Sequence, residues 1–172
     1  MAESHSDADA TCTEGGNISI AIIGSKVDVK TLDNQYINAT TLDAVYTRCP
    51  LVKPLIQKAV IKGIGGERDE QEVRDIKPES PHILLHCWTN ERFLDVLQDH
   101  ESGKLKKCLR KELSNVGVKV GELVVEIKNM EEVNKTKEAI NTRYKIYANY
   151  TTLKTPNIVI VTRINNKLYL SF

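Results

Sequence analysis

The spacing of apolar residues along this chain changes from strand-like to helix-like several times, and this change constrains the fold more than any other feature. Residues 17–39 alternate apolar and polar side chains around Gly24 and Ser25, which predicts two strands in a hairpin. Residues 40–46 then have the pattern of a short helix, and Asn38, Thr40 and Thr41 precede the apolar run where a helix N-cap is expected. Strands and helices in this succession predict an α+β fold with a small sheet.

The next segments predict a basic helix and then an exposed loop. Residues 50–65 place apolar side chains at helical spacing, with Lys53, Lys58 and Lys62 on the other faces and a glycine end. The segment from Glu67 to Glu79 contains six acidic residues, three basic residues and few apolar ones. We therefore expect residues 67–80 to form an exposed, mobile insertion.

The second half of the chain continues the alternation of strands and helices. The patterns predict a strand ending at Trp88, a helix capped by Thr89 and an amphipathic helix over residues 102–113. A strand, a helix from Met130 to about Tyr150 and two strands joined at Asn165–Asn166 follow. The predicted domains are an acidic flexible tail (1–16), a first module (17–113) and a β-α-β-β module (114–172), the two modules packed as one body or separate.

Composition limits the classes of function. The chain has 172 residues, of which 41% are hydrophobic and 27% charged, as expected of a globular protein without a membrane partner. Its formal net charge is +1, so only a local basic patch could attract nucleic acid. The four cysteines lie far apart and no secretory signal precedes them, which predicts an intracellular protein of the nucleus or cytoplasm, not a secreted one.

The segment "YINAT", residues 36–40, carries a family resemblance. Together with the helix pattern of "PLIQKAVIKG", the glycines after it and the later "CWTNERFLDVL", it resembles the KilA-N/APSES family of DNA-binding domains over residues 18–113. The resemblance implies a turn from a sheet into a two-helix unit, followed by a glycine-rich wing. It also implies a DNA surface that includes Lys53, Lys58 and Lys62, with Arg68 at the root of the wing.

A second basic patch comes from charge alone. Five of the eight residues from Lys104 to Lys111 are basic, and they are predicted to contact phosphates or simply to solvate the helix. Choice among bases would come from Gln57 or Arg68. The residues predicted to contact nucleic acid are therefore Lys53, Gln57, Lys58, Lys62, Arg68, Lys104, Lys106, Lys107, Arg110 and Lys111.

The C-terminal block resembles the second half of a PD-(D/E)xK nuclease core. This resemblance implies that Glu126 binds a divalent metal such as Mg²⁺ and that Lys128 stabilises the attacking water or the phosphate charge. The family also needs an Asp upstream, where this chain has Asn115 and Gly117. His82 and His86 would share a strand face and could in principle bind a metal, but no further ligands are evident, so we expect structural burial.

These patterns together predict a double-stranded DNA-binding protein with a regulatory or genome-associated role, nuclear or viral. It is expected to have no catalytic residues, metal or cofactor. Two alternatives stay open: a Mg²⁺-dependent nuclease centred on Glu126 and Lys128, and a module that binds a protein partner and has lost DNA binding.

Overall fold

The structure is a computed structural model that describes the backbone of residues 14–30, 34–154, 160–164 and 167–171, and the side chains of residues 14–30 and 34–146. Its strands are β1 (Gly16–Lys30), β2 (Tyr36–Thr41), β3 (Gln71–Ile76), β4 (His82–Cys87), β5 (Val118–Ile127), β6 (Ile160–Ile164) and β7 (Lys167–Ser171). Its helices are α1 (Leu42–Arg48), α2 (Lys53–Gly63), α3 (Asn90–Glu101), α4 (Lys104–Asn115) and α5 (Met130–Lys154). The α+β class predicted from the sequence is confirmed.

The long strand β1 organises an antiparallel sheet of five strands. Ile20 and Ala21 pair with both β4 and β5, and Val27 to Val29 pair with both β2 and β5. Since a strand has two edges, β5 lies along one edge of β1, and β2 and β4 share the other edge end to end. β3 continues the sheet beyond β4.

The predicted break at Gly24 and Ser25 is wrong, because β1 runs through both residues as a single strand. The change of pattern has a different cause. Lys26 takes a left-handed conformation (φ 54°), and burial shifts from the even positions Ile20 and Ile22 to the odd positions Val27 and Val29. A side chain on the opposite residue, Gly121, would start 3.0 Å from the Lys26 Cβ. The sequence pattern of a turn therefore marks an irregularity inside a paired strand.

The predicted mobile insertion at residues 67–80 is also wrong. Residues 71–76 form β3, which pairs antiparallel with β4 and shifts register between Val73 and Asp75. Gln71 is buried, and Val73 and Ile76 pack against the core. Of the six acidic residues, Glu72 and Asp75 occupy exposed positions of the ordered strand, and the other four lie outside it. Alternation on an edge strand needs apolar residues on only one face.

The helices cover one face of the sheet and bury the core against it. The largest fully buried side chains include Tyr46 of α1, Ile56 of α2, Phe93 of α3 and Leu109 of α4. Of the three candidate cap residues, Thr41 caps α1, since its hydroxyl oxygen accepts from the Ala44 N–H at 3.2 Å. Asn38 and Thr40 belong to β2, so the predicted corner falls at Thr41. The predicted Thr89 cap of α3 is confirmed, with the Arg92 N–H donating to Thr89 Oγ1 at 3.1 Å.

The C-terminal elements follow the predicted order of strand, helix, strand and strand. β5 pairs with β1 in the main sheet, whereas β6 and β7 form a separate two-stranded sheet. The tail residues 1–13 and the predicted turn at Asn165–Asn166 lie outside the described residues. Gly16 already belongs to β1, one residue before the predicted start of the fold. Within the described part of the chain, no helix is long and apolar enough to cross a membrane.

Candidate nucleic-acid interface

Helices α2 and α4 lie against each other, which brings the two predicted basic segments together. The contact forms around Gly63, where an added Cβ would lie 2.6 Å from Leu109 Cδ2 and 3.0 Å from Leu109 Cα. Ile56, Ala59 and Val60 of α2 and Leu105, Leu109 and Leu113 of α4 face the core. Most of the basic residues of both helices are therefore left on sides that do not face the core.

Five lysines on these outer sides define what we call the α2–α4 basic face: Lys58, Lys62, Lys104, Lys107 and Lys111. On each helix they recur at three- or four-residue spacing, which places them on one side. The two helices are linked by Lys62, whose Nζ lies 3.7 Å from Glu112 Oε2. Lys62 and Lys104 also line the same cleft. Among the described residues, Lys58, Lys107 and Lys111 form no ion pair.

Two other predicted residues on α4 point toward the sheet side of the helix. Arg110 Nη2 donates to the backbone carbonyl of Gly121 in β5 at 3.2 Å. Lys106, one turn before Arg110, is exposed on the same side. These two residues lie beside the basic face and are not part of it.

Lys53 and Gln57 make contacts inside the fold. Lys53 Nζ donates to the Pro78 carbonyl at 2.7 Å and lies 4.9 Å from the centre of the Tyr46 ring. Gln57 Nε2 donates to the Tyr46 hydroxyl at 2.7 Å. Both side chains thus hold α2 against α1 and the β3–β4 turn. The Gln57 amide, which was predicted to choose among bases, already donates to the Tyr46 hydroxyl.

A cleft of about 440 Å³ opens between the C-terminal end of α2, helix α3 and the start of α4. We call it the α2–α3–α4 cleft. Its described lining is positively charged, because it carries four cationic side chains and two acidic ones. The cations are Lys62, Arg68, Arg92 and Lys104, and the acids are Asp95 and Asp99. Three of the predicted nucleic-acid residues, Lys62, Arg68 and Lys104, converge here.

Arg92 was missed by the sequence reasoning, although it lies in the cleft wall. Its side chain is only 7% exposed. Its Nε donates to Gln71 Oε1 and its Nη2 to the Ile64 carbonyl, both at 2.7 Å. Burial, followed by the charge of Arg68, lowers the pKa of Arg92, while Cys87, Asp95 and Asp99 oppose this. The only signal in the sequence was an arginine directly before the buried Phe93, on the inner side of a predicted helix.

Gly65, after α2, makes room for two guanidinium groups. Gly65 has φ 112°, and a Cβ there would lie 2.8 Å from Arg92 Nη2 and 3.3 Å from Arg68 Cζ. Arg68 Nε donates to the Gly65 carbonyl at 2.8 Å. The segment expected to be the root of a wing therefore positions two arginines at one end of the cleft.

Glu126 and Lys128, the residues of the nuclease alternative, lie on the other side of the molecule. They form an ion pair with each other at the end of β5, each about half exposed. Their neighbours across the sheet are Ala21, which pairs with Glu126, and Ser19, whose carbonyl accepts from the Lys128 N–H. In the described residues, no group of three or more His, Cys, Asp or Glu side chains could hold a metal ion.

His82 and His86 share the outer face of the sheet, as predicted, but are half-buried and not fully buried. His82 Nε2 lies 2.6 Å from Ser19 Oγ, and His86 Nδ1 lies 2.7 Å from Asn17 Oδ1. Desolvation, followed by the charges of Lys77 and Lys128, lowers the pKa of His82. Desolvation and the charge of Arg74 lower that of His86. The neutral forms are therefore favoured.

No protein-family model matches the chain, and a search of curated proteins also finds no match.

Proposed function

We propose that this protein binds double-stranded DNA through the α2–α4 basic face, in a regulatory or genome-associated role without catalysis. The observation that carries this proposal is the packing of α2 on α4, which gathers lysines from two distant segments on one surface. Lysines at this density neutralise phosphates and release their counterions, which is the main source of affinity for duplex DNA. The basic face therefore offers a local patch on a chain of almost no net charge.

The order of elements around this face also supports the proposal. β2 with its "YINAT" segment leads into α1 and α2, and the glycine turn leads into the β3–β4 hairpin. This is the order that the KilA-N/APSES resemblance implies. The acidic residues of β3 lie in the hairpin, so we place DNA on the helices and not along β3.

The alternatives have weaker support. In the nuclease alternative, Mg²⁺ would need more ligands than the single carboxylate of Glu126, because divalent cations of this kind take several oxygen ligands. A surface for a protein partner would be favoured by the ion pairs Lys62–Glu112 and Lys104–Asp99, which already neutralise part of the basic face.

The test is the affinity for a random-sequence duplex at low salt, measured by fluorescence anisotropy. The triple variant Lys58→Glu/Lys107→Glu/Lys111→Glu reverses the three lysines of the face that form no ion pair with a described residue. We expect it to bind at least about 100-fold more weakly, because reversing a charge both removes a phosphate contact and adds repulsion. Lys62→Glu is avoided since it would place a second carboxylate beside Glu112.

The matched control is Lys30→Glu/Lys119→Glu/Lys145→Glu, which makes the same change in net charge at exposed sites on β1, β5 and α5. It should reduce affinity by less than about threefold if contact and not overall charge is responsible. Equal losses in the two variants would refute the basic face as the binding surface. Magnesium-dependent cleavage that Glu126→Ala abolishes would establish the nuclease alternative instead.

A further inference from the structure

We infer that the α2–α3–α4 cleft is a binding site for a terminal phosphate group, that is, a phosphate monoester. The cleft shares Lys62 and Lys104 with the basic face, whereas Lys58, Lys107 and Lys111 of that face do not line it. The inference can therefore be tested separately from the proposed function.

The first argument is the state of Arg92. A buried guanidinium is costly unless its N–H groups and charge are compensated. The protein supplies acceptors for Nε and Nη2. Because Arg92 also lines the cleft, its remaining N–H groups can be reached by an acceptor bound there. Arginine recognises phosphate oxygens through paired N–H donors of this kind.

The second argument is the number of cations that share the space. Arg68, Lys62 and Lys104 line the same cleft, whereas its acidic residues are Asp95 and Asp99. One of these, Asp99, accepts from Lys104 Nζ at 2.9 Å. Lys62 also has an acidic partner, Glu112, which does not line the cleft. With Glu112 counted, four cationic side chains meet three carboxylates, and a bound anion would compensate the positive charge that remains.

The start of α4 adds to the same potential. Its N-cap is Gly103, at φ 72°, with no side-chain hydrogen bond to the first turn. Lys104 and Leu105 of this turn line the cleft. The positive end of the helix dipole is therefore directed at the same region, which favours an anion there.

The shape of the site selects a terminal phosphate over one inside a nucleic-acid strand. Arg92 is recessed, with 7% of its surface exposed. A phosphodiester carries a sugar on both sides and would be held at the mouth, whereas a monoester presents three oxygens on a protruding group. The volume of about 440 Å³ is within the range of pockets for small ligands. The phosphate could belong to a free nucleotide or to the 5′ end of a strand.

The first experiment uses inorganic phosphate and adenosine 5′-monophosphate, titrated by calorimetry at low salt, with adenosine as the control ligand. We expect both phosphates to bind and adenosine not to bind. Arg68→Gln/Lys104→Gln should weaken phosphate binding by about tenfold or more, since each lost charged contact contributes this much. Arg92 itself is left unchanged because its substitution could prevent folding.

A gain of binding provides a second, independent test. Asp99→Asn frees Lys104 from its ion pair and removes a negative charge from the cleft, so it should tighten phosphate binding about three- to tenfold. A merely destabilised variant would not bind more tightly. The triple variant Lys58→Glu/Lys107→Glu/Lys111→Glu should retain phosphate binding while losing the duplex, which separates this inference from the proposed function.

The second experiment distinguishes the two sources of the phosphate. Duplexes with 5′-phosphate and 5′-hydroxyl ends are compared with wild type and with Arg68→Gln/Lys104→Gln. If a strand end is bound, the phosphorylated duplex is preferred by wild type and the preference disappears in the variant. If a free nucleotide is bound, the two duplexes bind equally while adenosine 5′-monophosphate still binds at the cleft. Absence of binding by every phosphate compound, or binding that neither Arg68→Gln/Lys104→Gln nor Asp99→Asn alters, would overturn the inference.

Discussion

Arg92 and His82 show how single residues set the properties of the two faces of this protein. Arg92 keeps its charge inside the fold because a carbonyl and an amide oxygen accept from it, and because Asp95 and Asp99 lie close enough to favour the charged form. His82 on the opposite face of the sheet is in the reverse situation, since desolvation and Lys128 favour its neutral form. The cleft thus holds a buried positive charge, whereas the two histidines on the outer face of the sheet are favoured in their neutral forms.

The first prediction at this scale concerns stability against pH. The pKa values of His82 and His86 are lowered from 6.5 in the folded protein, so the unfolded chain binds more protons as the pH falls below that value. The stability that their neutral forms contribute is fully present above 6.5 and is lost as the pH falls through 6.5 toward the folded pKa values. We expect a lower urea midpoint at about pH 5.5 than at about pH 7.5.

The variant His82→Asn/His86→Asn should show a smaller drop in the urea midpoint between these two pH values. Glu122→Gln is the control, because its ion pair with Lys26 lowers the pKa of Glu122 from 4.5 and places its titration below this range. It should keep the full drop. A drop of the same size in the histidine variant would show that other groups cause it.

At the scale of elements, the α2–α4 contact determines whether the basic face exists. Gly63 allows the two helix backbones to approach, and the tightest distance that cannot relax easily is the 3.0 Å to Leu109 Cα, which is backbone. The end of α2 would otherwise favour a residue with a side chain, since glycine is a poor helix former. The close approach therefore explains the glycine better than helix propensity does.

We predict that Gly63→Ala destabilises the protein by about 1 kcal/mol and Gly63→Val by more, because overpacking a helix contact costs more than the gain in helix propensity. Urea unfolding measures this. The double variant Gly63→Ala/Leu109→Ala should be less destabilised than the sum of the two single variants, since shortening Leu109 relieves part of the clash. A stabilising Gly63→Ala would contradict the close packing of α2 on α4.

At the scale of the whole molecule, local patterns predicted the helices and several strands, but they missed β3, divided β1 and did not predict how the elements meet. Helical spacing was sufficient for α3, α4 and α5, and the Thr89 cap followed from its position before an apolar run. The continuity of β1 could not be predicted locally, because Ser25 and Val27, on either side of Lys26, are held by pairing with β5, far along the chain. The cleft could not be predicted from the sequence for the same reason, because it forms only where α2, α3 and α4 pack together.

The last prediction concerns how the binding of duplex DNA by the whole molecule depends on salt. With a formal net charge of +1, the protein gains affinity only where its basic face meets phosphates. Each neutralised phosphate adds about −0.9 to the slope of log K against log salt, so two to five contacts imply a loss of roughly 10- to 500-fold between about 50 and 200 mM salt. Anisotropy titrations over this range measure the slope.

The variant Lys107→Gln/Lys111→Gln should reduce the magnitude of this slope by about 1.8 if each lysine contacts one phosphate, whereas Lys119→Gln/Lys145→Gln should leave it unchanged. Both variants remove two charges, so an equal change of slope in the two would mean that DNA responds to net charge and makes no specific contact with α4.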